Sequence, residues 1–242
     1  KSKEVAEVKP ARLPRALNLR SIVRRVSLPK MVKRLGVVFE TENTVQTDIS
    51  KSDKLQYTIP FHAINDDGFI ENNDNRYLMA AITKQEGEVY VFRFKSPSFT
   101  TGYENINKTD VRYWSFNLGN EATYNFNALK DEDALLDKNG YVNLILASED
   151  EEIQKRTKEL GYNFLEWNMP WKCGYILFRH MLANPDFEAQ IDNVPQIKFG
   201  MEDFKSTEAQ NYIGDYSPQG VRMSKADFLS AYQLDKMTIE AN

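Results

Sequence analysis

The sequence is poor in the residues that most often carry chemistry. Cys173 is its single cysteine, and His62 and His180 are its only histidines in 242 residues. One cysteine excludes an internal disulfide framework and any multi-cysteine zinc or iron–sulfur site, and it leaves the compartment open. No apolar run approaches the roughly 18 residues that a membrane-crossing helix needs. Walker A, G-x-G-x-x-G, G-x-S-x-G and H-E-x-x-H patterns are missing, so the common nucleotide, hydrolase and protease signatures are absent. No cofactor is expected. Residues 1–35 contain no Phe, Tyr or Trp. No signal peptide stands at the start, which is Lys1 rather than Met. The expectation is a processed or trimmed product.

What is present reads as an ordinary globular chain, with 41% hydrophobic and 27% charged residues. The length suits one large β-sandwich or two small domains and can bury a core without disulfides. Phe and Tyr are abundant, at 14 and 12, which leans the composition toward sheet.

The net charge of −4 hides an asymmetry. Residues 1–35 carry 11 Lys and Arg against 2 Glu, a charge of +9, while the other 207 carry 20 basic and 33 acidic residues, −13. Such a split marks an arm with its own partner. Within it, Leu19, Ile22, Val23 and Val26 recur at helical steps, and Met31, Val32 and Leu35 form a second short apolar face before Gly36. Residues 1–36 are therefore expected to be a basic helical arm, and 37–242 a single domain. Docking on the acidic body or on a partner protein is the favoured reading of the arm. An anionic membrane surface is an alternative, although the arm lacks the Trp and Phe usual there. Nucleic acid is disfavoured, because no aromatic is offered for base stacking.

Strand patterns follow. Val37–Phe39 and Leu55–Ile59 are short candidates. Tyr77–Thr83 and Glu88–Lys95 are strong, and Gln85-Glu86-Gly87 between them predicts a hairpin. Val111–Leu118 and Tyr141–Ala147 follow, the second after the tight turn Asp137-Lys138-Asn139-Gly140. Ser148 with Glu151 reads as a capping box opening a surface helix over 149–160. Cys173–Arg179 is another strand, with one helical turn predicted at His180–Asn184. Ser224 with Asp227 opens a C-terminal helix to about Lys236. Asn107-Lys108-Thr109 is a formal glycosylation sequon, of a kind common by chance. Strands joined by short turns, without alternating helices, favour an antiparallel sandwich or barrel over a parallel α/β sheet.

Residues 75–195 carry a resemblance. They read Asn75-Arg76-Tyr77-Leu78, Arg112-Tyr113-Trp114-Ser115, Asp137-Lys138-Asn139-Gly140-Tyr141, Asn163-Phe164-Leu165-Glu166-Trp167 and Phe178-Arg179-His180-Met181-Leu182. This order resembles a bacterial family of unknown function whose C-terminal domain is a jelly-roll β-sandwich. The family shows a Tyr-Trp-Ser strand, an Asp-Gly turn, an Asn-Trp-Leu-Pro segment and a late Arg-containing strand. The chain departs from it at Phe164, where the family has Trp, and at Glu166-Trp167, where Pro is usual. A helix is also inserted before that segment. The resemblance implies a jelly-roll-like fold and no particular reaction. The fold expected is thus an antiparallel, jelly-roll-like β-sandwich with N-terminal helices and a C-terminal helix.

Two chemical constellations are open. His62 and His180 with one carboxylate would make an iron-type triad, although neither sits in an H-x-D or H-x-E pattern. The alternative is that each is a surface or hydrogen-bonded residue. Cys173 and His180 lie seven residues apart, on opposite faces of a continuous strand and about 23 Å apart at ~3.3 Å per residue. That rejects a nucleophile–base pair and leaves Cys173 as an expected small core residue. Arg112 and Trp114 share one strand face, and Glu166, Trp167, Trp171 and Arg179 are placed to join them. Arg112, Trp114, Glu166, Trp167 and Arg179 are thus the candidate ligand-binding set, a cleft for a sugar or carboxylate. The bland alternative is a sandwich core in which the Trp residues are buried. The leading function is a binding or protein-interaction module, expected to be extracytoplasmic. The rivals are an enzyme acting on a small organic or sugar ligand in the cleft, and a membrane-peripheral protein held by its arm.

Overall fold

The structure, a computed structural model, describes residues 59–64, 74–84, 86–101, 108–120, 125–170, 172–197 and 207–230. The basic arm, the expected strand at Val37–Phe39, most of that at 55–59, Asn107, Trp171 and the end of the C-terminal helix lie outside them.

The described chain is mainly β. Its strands are β1 His62–Ile64, β2 Asn75–Thr83, β3 Glu88–Lys95, β4 Tyr113–Gly119, β5 Asn125–Lys130, β6 Tyr141–Ala147, β7 Asn163–Glu166, β8 Cys173–Met181, β9 Gln196–Ile197 and β10 Gln219–Ser224. They form a six-stranded sheet in the order β5-β4-β8-β2-β1-β9 and a four-stranded sheet in the order β10-β3-β6-β7.

Alternation decides what each strand buries. On β2, Leu78, Ala80 and Ile82 point inward, and on β8 Ile176, Phe178 and His180 do. On β3, Tyr90, Phe92 and Phe94 meet them from the other sheet. Phe92 lies 5.0 Å from Phe116 and Phe94 lies 4.9 Å from Phe178, ring centre to ring centre, so aromatic side chains join the two sheets. The opposite face of β3 is buried too. Val89 and Val91 pack with Ile145 and Val221 against Ile153 of the Glu151–Glu159 helix and Phe228 of the Lys225–Ser230 helix. The smaller sheet is therefore covered on both faces, which explains why β3 reads as an almost unbroken buried run.

Several expectations are corrected. The sheets are mixed rather than purely antiparallel, since β1 pairs parallel with β9 and β6 with β7. A parallel pair needs a crossover connection, and the Glu151–Glu159 helix supplies it for β6 and β7. Tyr77–Thr83 and Glu88–Lys95 do not form a hairpin: they lie in different sheets. The doubly buried β3 belongs mid-sheet between β10 and β6, while β2 buries one face only. The Tyr90 hydroxyl ties the crossing by donating to the Thr83 carbonyl at 2.6 Å and accepting from its N–H at 3.0 Å. The cap of the 151–159 helix is Asp150 rather than Ser148, accepting from the N–H groups of Glu152 and Ile153 at 3.1 Å each. Cys173 is exposed rather than core, because it opens β8 where the sheet ends. His180 continues that strand instead of starting a helical turn. The Ser224–Asp227 cap forms as expected, with Asp227 N–H donating to Ser224 Oγ at 3.0 Å.

Candidate functional site

The cross-strand register brings three residues into one row at the end of the larger sheet. Arg76 on β2 faces His180 on β8, which faces Trp114 on β4. All three point to the inner face. Trp114 and His180 are buried completely, whereas Arg76 reaches the rim and pairs there with Asp192. Its guanidinium also donates to the Asn75 carbonyl at 2.9 Å.

His180 is the unusual member. Neither ring nitrogen has a hydrogen-bond partner among the described residues, and neither does the Trp114 indole nitrogen. A buried polar group left unpaired costs roughly 1–3 kcal/mol, so folds seldom keep one without a use. Burial holds the imidazole at a pKa of about 3, far below its ordinary 6.5. The ring is therefore neutral at physiological pH, with one donor and one acceptor nitrogen. Phe178 and Phe187 flank it at 5.0 and 6.0 Å.

Beside the ring is a cavity of about 140 Å³. Arg76 and His180 form its sheet side and Asp74 its edge. Leu182, Ala183, Ile191 and Asp192, from the chain after β8, complete the wall. This volume holds several waters or a small organic molecule. Leu182 has φ +47°, a left-handed conformation that costs a non-glycine residue about 1–2 kcal/mol. Two backbone bonds hold it there: its N–H donates to the Asp74 carbonyl at 2.8 Å, and its carbonyl accepts from the Arg112 N–H at 3.3 Å. Backbone strain of this kind collects at functional sites.

The five residues of the expected cleft do not converge. Trp114 and Trp167 are both core residues. Trp167 stacks on Tyr90, whose hydroxyl binds Thr83. Thr83 is seven residues along β2 from Arg76, or roughly 23 Å at ~3.3 Å per residue, so Trp167 and Glu166 sit near the opposite end of β2 from the cavity. Arg179 points out of the sheet, over the Tyr113 ring at 4.7 Å. Arg112 donates to the Thr100 carbonyl and, through its backbone, supports the Leu182 turn. Only Arg112 and Trp114 of the five belong near the cavity.

The two histidines are also separated. His62 is in register with Met79, on the outer face, while His180 shares the inner face with Arg76. His62 Nδ1 lies 3.1 Å from Thr207 Oγ1, and burial lowers its pKa. Among the described residues no three His, Cys, Asp or Glu side chains gather as metal ligands, and no helix is long and apolar enough to cross a membrane.

No family model and no curated protein matches the sequence. A solved structure, an uncharacterized protein from Burkholderia cenocepacia, is similar at a TM-score of 0.43 and 14% identity. The similarity covers 69% of this chain and 35% of that one, so the chain spans about a third of that protein's length.

Asp74 and Asp192, which line the pocket with Arg76 and Leu182, carry no motif, and the segments of the resemblance that contain Arg76 and Leu182 assign them no role. Asp74 reads as part of a polar loop, Arg76 falls just before the expected strand, and Asp192 lies in a polar stretch without structural signals. The register of β2 with β8 places Arg76 beside His180, and the chain after β8 brings Leu182 and Asp192 to them.

Proposed function

We propose that this chain is a binding module that takes a small polar molecule into the His180 pocket. The observation that carries this reading is the fully buried imidazole, without a partner among the described residues, bordering a cavity. A neutral ring carries a donor and an acceptor without the desolvation cost of a charge, and its nitrogens become available to a molecule in the cavity once the side chains that seal them shift. Leu182, Ala183 and Ile191 supply apolar wall, and the Arg76–Asp192 pair supplies a polar rim. Asp74, Arg76, His180 and Asp192 make most of the lining polar, which suits a polar molecule rather than an apolar one.

The test is a thermal-shift screen of amino acids, simple sugars, short polyols and small carboxylic acids at millimolar concentration. The wild type and His180→Phe are compared. Compounds that stabilise the wild type and lose that effect in a folded variant support the reading. Compounds that stabilise both proteins equally, or none that stabilise either, overturn it.

Three wider features belong to the same proposal. The two facing sheets form a sandwich of the jelly-roll kind, as the family resemblance implies. The protein works outside the cytoplasm of a bacterium. Its basic arm docks on the acidic body or on a partner protein rather than on nucleic acid, with an anionic membrane surface as the alternative. The +9 against −13 charge split supports that docking. Deleting residues 1–35 tests it: an unchanged melting temperature argues against docking on the body.

A further inference from the structure

The chain from Leu182 to Val194 covers the pocket, and its bonding is largely internal. Phe187, Gln190, Asn193 and Val194 donate their N–H groups to the carbonyls of Asn184, Phe187, Gln190 and Ile191 respectively. The Asn193 side chain donates to the Glu188 carbonyl at 2.6 Å. Attachment to the body is concentrated at the two ends of the segment's span over the pocket. Near the start, Leu182 N–H donates to the Asp74 carbonyl and Asn184 N–H to the Asp110 carbonyl, each at 2.8 Å. Near the finish, Asp192 pairs with Arg76, half-exposed, in the range where an ion pair contributes little. Between them Phe187 and Ile191 lie buried against the core, Phe187 contacting both His180 and Tyr216. The segment is thus a compact strap, held by a strained turn, the buried side chains of Phe187, Ile191 and Val194 and a rim ion pair, and it runs on into β9, which pairs with β1.

We propose that residues Leu182–Val194 are an acid-released strap: a proton entering the His180 ring lifts the strap and opens the pocket. The ring is fully buried, flanked by Phe178 and by Phe187 of the strap, and among the described residues it has no acceptor to share a proton with, so the closed form rejects the charge. Charged groups around it give no relief in the closed form. Arg76 is in the same cross-strand row and is itself cationic. Asp192 and Asp74 border the cavity, with Asp192 already paired to Arg76. Asp131, behind Trp114, is engaged by the N–H groups of Trp114 and Glu132. Lifting the strap lets water solvate the imidazolium, and it removes Leu182, Ala183, Ile191 and Asp192 from the pocket wall. The device regulates the site proposed above and rests on that reading only for its consequence, release of the bound molecule.

Amide hydrogen exchange of the ligand-free chain at pH 7.0 and pH 5.0, corrected for intrinsic rates, tests it. An open-state imidazole titrating at its ordinary 6.5 raises the strap's opening equilibrium roughly 25-fold between those two values, because the closed state binds almost no proton at either. Leu182 and Asn184 amides are expected to lose protection by that factor, while core amides of β3 and β6 keep theirs. His180→Phe is expected to abolish the difference. Should that variant misfold, the wild-type slope between the two pH values serves instead, since a roughly 25-fold change over that interval requires about 0.7 proton per opening on average. Strap protection that is equal at both pH values, opening that persists in a folded His180→Phe, or simultaneous loss in β3 and β6 overturns the proposal. As no ligand is present, these outcomes are independent of whether a small molecule binds.

Discussion

Trp114 shows how much one position decides. Its ring is fully buried, edge-on to Phe94 at 5.4 Å and tilted on Phe178 at 6.1 Å, and so helps to join the two sheets. Trp114→Ala is expected to destabilise the fold by about 3–5 kcal/mol, read from urea unfolding. A loss below about 1 kcal/mol contradicts the core assignment, being the level of an ordinary surface change. Gly220 carries the opposite constraint. A Cβ there would stand 2.5 Å from Phe92 Cε1 and 3.0 Å from Ile59 Cβ. Gly220→Ala should therefore cost about 1–3 kcal/mol as an overpacked site, measured the same way. His180 was visible in the sequence, but only as a possible partner of His62 or Cys173. Periodicity says which face of its own strand a residue occupies. It does not say that Arg76 and Trp114 will flank it, since cross-strand register is a property of the whole sheet.

At the scale of elements, the turn before β6 is tied to the smaller sheet by a buried network. Arg93 donates to Asp137 at 2.9 Å and to Asn143, and its guanidinium lies 4.1 Å over the Tyr141 ring. Asp137 also accepts from the N–H groups of Asn139 and Tyr141 at 2.8 and 3.0 Å. Burial alone would raise the Asp137 pKa, but these backbone bonds and Arg93 outweigh it and hold it below the ordinary value. Asp137→Ala strands a buried guanidinium and should cost about 3–5 kcal/mol. Replacing Arg93 and Asp137 together by Met and Leu should recover part of that loss in chemical unfolding. The strands that sequence pattern finds, in β2, β3, β4, β6 and β8, all lie inside their sheets. Those it misses include the outermost strand at each end, β5, β9, β10 and β7. Edge strands are short and polar because one side faces water and must resist further pairing, so they lack the alternation that marks a strand. The predicted hairpin failed for a related reason. A four-residue link serves equally to turn within a sheet or to cross to the next one.

For the whole molecule, the clearest flanks of the pH dependence come from His180 and Tyr141. His180 has a folded pKa of about 3 against an ordinary 6.5, so the folded state binds fewer protons between them. Its stabilising contribution is full above pH 6.5 and is lost as pH falls toward 3. The Tyr141 hydroxyl is raised from 10.0 to about 12 by burial and then by its hydrogen bond to Asp215. Its contribution is full below pH 10 and is lost as pH climbs through 12. Thermal melts across this range should show both flanks, and His180→Phe should reduce the acid flank, to which His62 and Asp137 also contribute, and leave the alkaline one unchanged.

The pocket is the claim on which the rest depends. With only two histidines in the chain, a nitrogen-resolved imidazole spectrum separates His180 from His62 without ambiguity. Recorded at pH 7 against the same panel of amino acids, sugars, polyols and small acids, it is expected to show His180 neutral and its signals moving with the compounds that raise the melting temperature, while those of His62 stay fixed. A His180 ring that titrates near 6.5, or that stays unmoved by every stabilising compound, contradicts the account.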